Sequence, residues 1–177
     1  MRNERRHKPR NGRKKIPTKA LLFFVVFLFA CFFVFFLFSK REPSFNVYFL
    51  KGDEIKAVSR PLSKMDEILS KASFELLKGP NEKELEDGYF SEIPKGTQIL
   101  SVKKGEDAVE INFNKKLEGY GGGSSRVIAL VAQIVYTFTE TANVDKVRIM
   151  IEGDQEIVLG GEGYIIDHPL SRDDIRF

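Results

Sequence analysis

The sequence predicts an α+β fold: a two-layer mixed β-sheet with two main helices packed on one face, preceded by a single transmembrane helix. Three patterns carry that expectation. Ala20 to Phe38 form an unbroken apolar run of nineteen residues. Beyond it, short alternating apolar stretches bounded by Gly, Pro, Asn and Asp predict strands. Two longer stretches place apolar residues three and four apart, the period of a helix with one buried face. Their order, strand-strand-helix-strand-strand-helix-strand, suits helices layered on a sheet.

Nine residues of the apolar run are Phe. At about 1.5 Å of rise per residue it spans roughly 28 Å, close to the hydrocarbon thickness of a bilayer. Residues 1–19 carry nine Lys/Arg against one acid, Glu4. This bias keeps the tail in the cytoplasm and places everything after Ser39 outside it. A cleaved signal peptide has a shorter core and a small-x-small site, whereas this run ends in Phe35-Phe36-Leu37-Phe38. A lipoprotein signal would use Cys31, but Phe29 is bulky and seven more apolar residues follow. A buried core helix is disfavoured by Phe on every face. The expected plan is a basic tail (1–19), a membrane helix (20–38), a linker (39–44), a domain (45–160) and an extension (161–177). Six linker residues reach about 20 Å when stretched, which keeps the domain close to the membrane.

Past the run about 139 residues remain, enough for one domain with its own core. Cys31 is the single cysteine, so the exported part uses no disulfide. Of 28 bases and 25 acids, 19 and 24 lie beyond the run. The overall charge of +3 thus conceals an exported part of net −5, without the basic patch a nucleic-acid partner requires.

Asn46–Leu50 and Ile55–Arg60 predict a hairpin around the Lys51-Gly52-Asp53 turn. Ser63 and Asp66 form a capping-box pattern opening a helix whose buried stripe is Met65, Ile68, Leu69, Ala72 and Leu76. Gly79 ends it in a left-handed conformation, and Pro80 cannot continue it. Asn81 and Glu84 suggest one further helical turn. Gln98–Lys103 and Ala108–Phe113 form the clearest hairpin, with Val109, Ile111 and Phe113 on one face. A loop from Gly119 to Ser125 leads into a second helix, capped by Ser124 or Ser125, with Val127, Leu130, Val131, Ile134, Val135 and Phe138 on its buried face. Val144–Glu152 is a strand, and Gly153-Asp154-Gln155 turns it towards a short return over Glu156–Leu159. From Gly160 onward the pattern assigns no element.

Phe74-Glu-Leu-Leu-Lys-Gly-Pro80, Ile93-Pro-Lys-Gly-Thr97, the hairpin that follows, and Gln133-Ile-Val-Tyr-Thr-Phe-Thr139 occur in an order that resembles the GerMN domain. This is the sporulation and spore-germination family, and the likeness runs from about Phe45 to Gly153. The resemblance implies an exported domain held by a membrane or lipid anchor and similar in fold to ring-building modules of envelope channels. It implies no catalytic residues. The chain departs from the family in carrying one copy where some members carry two. Its segment Tyr164–Leu170 also has no counterpart in the family pattern.

Candidate chemistry is sparse. The Gly119–Ser125 loop could present backbone N–H groups to an anion, but it lacks the Gly-Lys-Ser/Thr ending of a phosphate loop. His168 is the only His of the exported part, and pairing with Ser171 or Asp167 is the one nucleophilic arrangement available. Glu82, Glu84, Glu86 and Asp87 form an acidic stretch without calcium-loop spacing. Paired carboxylates of a glycosidase type can come from distant parts of a chain, but a domain this small offers little room for a polysaccharide cleft. Tyr89 and Phe90 either pack onto the core or anchor a partner.

No catalytic, cofactor-binding or metal-ligating residue is therefore assigned, and no cofactor is expected. The expected function is a non-catalytic, single-pass, extracytoplasmic interaction or assembly module of the cell envelope. Its partners would be the membrane, envelope proteins or further copies of itself, with peptidoglycan a further candidate. The rival reading is a peptidoglycan-binding sensor or cell-wall-acting enzyme.

Overall fold

The computed structural model describes residues 18–38, 43–119, 123–161 and 163–176. Most of the expected cytoplasmic tail, the linker at 39–42 and the centre of the glycine-rich loop at 120–122 lie outside the described residues. The chain divides into two compact units, Met1–Arg41 and Glu42–Phe177.

The first unit contains one helix, α1 (Thr18–Phe38), over the whole apolar run. Its side chains are described for residues 23–34 and all are exposed. Among the described residues no helix is long and apolar enough to cross a membrane.

The second unit is α+β, but its strands do not form a single sheet. β1 (Ser44–Lys51) and β2 (Glu54–Pro61) make the predicted hairpin, and β1 also pairs with β3 (Tyr89–Phe90). β4 (Ile99–Lys104), β5 (Ala108–Phe113), β6 (Lys146–Ile151) and β9 (Leu170–Ser171) form a second sheet in the order β4-β5-β6-β9. β5 and β6 run parallel, and the other pairs of this sheet are antiparallel. The mixed sheet was thus foreseen, but without the division. The segment 156–159 returns as β7 (Ile157–Leu159), paired with β8 (Tyr164–Ile166) in a two-stranded sheet of its own.

Helix α4 (Ser124–Ala142) explains the division. It is the crossover that a parallel β5–β6 pair requires. It packs on β5 and β6 and also on β1 of the first sheet. The predicted stripe from Val127 to Phe138 is buried, but so are Ala129, Ala132, Gln133, Thr137 and Thr139. α4 thus serves both sheets. α2 (Ile68–Lys78) packs against α4, β1 and β4.

Three local expectations need correction. Lys64 is extended and a 3₁₀ turn, Met65–Glu67, precedes α2, so the Ser63 capping box does not form. That displacement leaves Met65 67% exposed rather than in the buried stripe. Gly123 occupies the cap position of α4, so neither Ser124 nor Ser125 does. Gly79 has the positive φ foreseen, 78°, but its ψ of −171° is an extended mirror conformation essentially reserved for glycine. By contrast, the Asn81–Glu84 capping box opening α3 (Glu82–Glu86) forms in both directions.

The polar residues buried on α4 have a particular task. Tyr48 in β1 donates its N–H to Thr137 Oγ1 at 3.0 Å, and its carbonyl accepts from Gln133 Nε2 at 3.3 Å. Gln133 Oε1 takes the Glu92 N–H at 2.7 Å. Since β3 pairs only with Leu50 and Lys51, helix side chains satisfy the strand edge where the third strand stops. Buried backbone groups without such partners would cost free energy.

Candidate functional site

An open polar cleft of about 1020 Å³ lies at the C-terminal end of α4. The β4–β5 turn supplies Glu106 and Asp107, the end of α4 and start of β6 supply Glu140, Asn143, Asp145 and Lys146, and the β9 region supplies Ser171, Arg172 and Asp173. Asn143 closes α4 in the left-handed conformation. Lys104 Nζ donates to the Ala142 carbonyl at 2.6 Å, placing a cation at the negative end of the helix.

One wall of the cleft is tightly organised. Arg172 lies over the rings of Tyr136 and Tyr48, 4.7 and 5.3 Å from their centroids. The two rings meet edge to face at 5.4 Å. Arg172 Nε donates to Thr139 Oγ1 at 2.9 Å, and Nη2 donates to the Tyr136 carbonyl at 3.0 Å and Glu140 at 3.3 Å. Glu140 also accepts from Asn46 Nδ2 at 2.6 Å and from the Tyr48 hydroxyl. Burial pushes Tyr48 above the ordinary phenol range, and the Glu140 carboxylate adds to that. Burial also works against ionised Glu140, but its bonds from Tyr48, Asn46 and Arg172 together hold its carboxyl below the ordinary range.

A second cluster ties the hairpin to the helices. Arg60 of β2 donates Nε to Glu75 at 2.9 Å and its two terminal nitrogens to Glu84 at 2.6 and 2.7 Å. The three side chains are only 9%, 16% and 14% exposed in the order Arg60, Glu75, Glu84. Arg60 holds the Glu84 carboxyl below its usual value. Glu84 and Glu140 therefore contribute stability that is complete above the unfolded carboxylate value of about 4.3 and is lost as pH falls through their folded values. The thermal midpoint is expected to drop below about pH 4.3, with Glu84→Gln flattening part of the fall. An unchanged acid limb in that variant would contradict the assignment.

The residues weighed from sequence are scattered. His168 meets Asp167 at 2.6 Å, but both are about 60% exposed, and Ser171 bonds Asp174 instead. Glu84 belongs to the Arg60 cluster, and Asn81 and Glu84 to the cap. Tyr89 and Phe90 form β3, with Lys51 Nζ 4.7 Å above the Tyr89 ring. Among the described residues no group of three His, Cys, Asp or Glu could hold a metal ion. Sequence gives no signal for this cluster: Tyr48 and Arg172 lie far from Tyr136 and Glu140 in the chain, and a Tyr or Glu in an amphipathic segment is unremarkable.

The sequence model of the Germane family, described as sporulation and spore germination, matches residues 46–157. The fold is similar to the tandem GerMN domains of the sporulation protein GerM from Bacillus subtilis, at 25% identity and a TM-score of 0.55. That match covers 73% of this chain and 45% of the tandem structure, so the chain spans less than half of it. The first GerMN domain of the same protein matches at 24% identity and a TM-score of 0.61, covering 75% of this chain and 99% of that domain. A protein designated a lipoprotein, from Clostridium perfringens, matches at 23% identity and a TM-score of 0.53, over 75% and 90% of the two chains. Comparison with curated proteins found no match.

Proposed function

This chain belongs to the Germane (GerMN) family, and on that premise we propose that it is a non-catalytic, membrane-anchored interaction module of the cell envelope, acting in sporulation, germination or peptidoglycan remodelling. The observation that carries the reading is one chain joining a domain of this family to a nineteen-residue apolar run behind nine bases. A run of that length suits a single bilayer span, and bases before it favour a cytoplasmic N-terminus. The absence of a catalytic role is inferred from how the ordered charges are used. Glu140 and Arg172 satisfy one another, Tyr48 and the backbone, an arrangement that supports a rigid surface better than a reacting group. The partners are envelope proteins or further copies of the chain.

The test joins topology to association. In intact protoplasts, a membrane-impermeant thiol reagent is expected to label the Asp107→Cys variant and spare the Asn11→Cys variant. In-cell crosslinking of the full chain is expected to capture an envelope protein or a second copy. Reversed labelling removes the extracytoplasmic assignment, and an absence of any crosslinked protein removes the interaction role.

One observation favours the rival reading. The cleft gathers Glu106, Asp107, Asp145 and Asp173 along one opening, an acidic wall suited to the amino groups of peptidoglycan peptides. If it serves as a binding site, peptidoglycan fragments bind the purified domain and Asp145→Asn with Asp173→Asn abolishes the binding. Equal retention of both forms on peptidoglycan would reject it.

A further inference from the structure

From Gly160 onward the sequence assigns no element, and the family match ends at residue 157. The fold nevertheless gives this end of the chain a definite course. β9 joins the edge of β6 through two residue pairs, Leu170 with Val147 and Ser171 with Lys146. Leu170 and Ile175 are buried. Between them Asp174 accepts from the Ser171 N–H at 2.8 Å and from its hydroxyl at 2.7 Å, across the 3₁₀ turn Arg172–Asp174. Arg176 then lines a cavity of about 330 Å³ together with Ser125, Arg126, Ile128 and Ala129 at the start of α4. Residues 172–176 thus run along α4 from its last turns to its first.

One side chain on this course reaches both sheets. Arg172 follows directly on β9 of the second sheet, yet its guanidinium lies over the ring of Tyr48 in β1 of the first. On the way it bonds the end of α4 at Thr139, the Tyr136 carbonyl and Glu140. Glu140 holds β1 a second time, through Asn46 and the Tyr48 hydroxyl. A planar guanidinium can do both tasks at once, covering rings with its face while its N–H groups donate in the plane.

We propose that residues 170–176 are a clasp that fastens the first sheet to the second across the end of α4, with Arg172 as the residue that closes it. The polar contacts of β1 at Asn46 and Tyr48 converge on Arg172 and Glu140, whereas β5 and β6 are paired with each other and packed on α4. With the clasp shut, β1 and β5 open together. With Arg172 lost, the Asn46–Tyr48 end of β1 opens first and β5 stays closed. The clasp also sets one wall of the cleft, since Ser171, Arg172 and Asp173 line it. This assignment is independent of the interaction-module reading and stands or falls without it.

Hydrogen exchange read by mass spectrometry, on the full chain in detergent micelles, is the test. In the wild type, peptides covering 44–51 and 108–113 are expected to show the same protection. Arg172→Ala is expected to speed exchange in 44–51 by about tenfold, the weight of one hydrogen bond to a charged group, and to leave 108–113 unchanged. Arg172→Lys keeps a charge but not the planar fork, so it is expected to resemble the alanine variant. A chain ending at Pro169 is expected to do the same. Asp173→Asn, at an exposed neighbour, is expected to match the wild type. A residue that merely stabilises the whole domain would speed both peptides equally. That result, wild-type protection of 44–51 in Arg172→Ala, or full rescue by lysine overturns the proposal. Should the alanine variant fail to fold, the lysine variant decides alone.

Discussion

Arg60→Ala is expected to lower the unfolding free energy of the domain by about 3–5 kcal/mol, the range for breaking a buried ion pair by removing one partner. The substitution strands two carboxylates that are mostly shielded from water, Glu75 and Glu84. It also removes a guanidinium whose carbon lies 5.8 Å from the centre of the Phe49 ring. The cluster joins β2 to α2 and α3, so its loss loosens three elements together. Against the roughly 5–15 kcal/mol typical of a domain, this is a large fraction of the total. Urea titration is the measurement, with a lower midpoint and an unchanged slope as the expected form. Replacing all three residues by apolar ones of similar volume is expected to recover most of the loss, because the cost is that of unpaired charge. A change under about 1 kcal/mol for Arg60→Ala would mean that water already reaches the cluster, as in a surface pair.

Phe138→Ala is expected to cost about 3–5 kcal/mol by leaving a cavity that surrounding atoms fill only in part. Phe138 is fully buried on α4, the helix that packs on both sheets. Met65→Ala is the matched comparison: the sequence put Met65 in the same class of buried apolar residue, yet it is largely exposed. Its expected effect is within about 0.5 kcal/mol. Similar losses at the two positions in chemical denaturation would refute this account of the core.

The features legible in sequence were those whose cause is local. The alternation in β5 names its buried face because side chains alternate across a strand, and Val109, Ile111 and Phe113 are all buried. The Asn81–Glu84 cap is likewise contained in four residues. The buried stripe of α4 was visible, but its second buried side was not, because Gln133 and Thr137 look like surface residues until a strand edge needs their hydrogen bonds. Ser63 misled for the opposite reason: its motif was present, but the chain spent residues 65–67 on a 3₁₀ turn first. β8 and β9 are three and two residues long, too short for a period to register. The cleft was the least legible feature, since it draws on residues 106–107, 139–146 and 171–173. Only the fold brings these segments together.

A helix shared by two sheets has a consequence for how the domain opens. Neither sheet retains a complete hydrophobic face without α4, and β1 also loses the partners of its Tyr48 backbone groups. The two sheets are therefore one cooperative unit rather than two that melt separately, with amides of β1 and β5 exchanging through a single global event. Such a domain meets mechanical or thermal load as a whole: it stays closed until it unfolds.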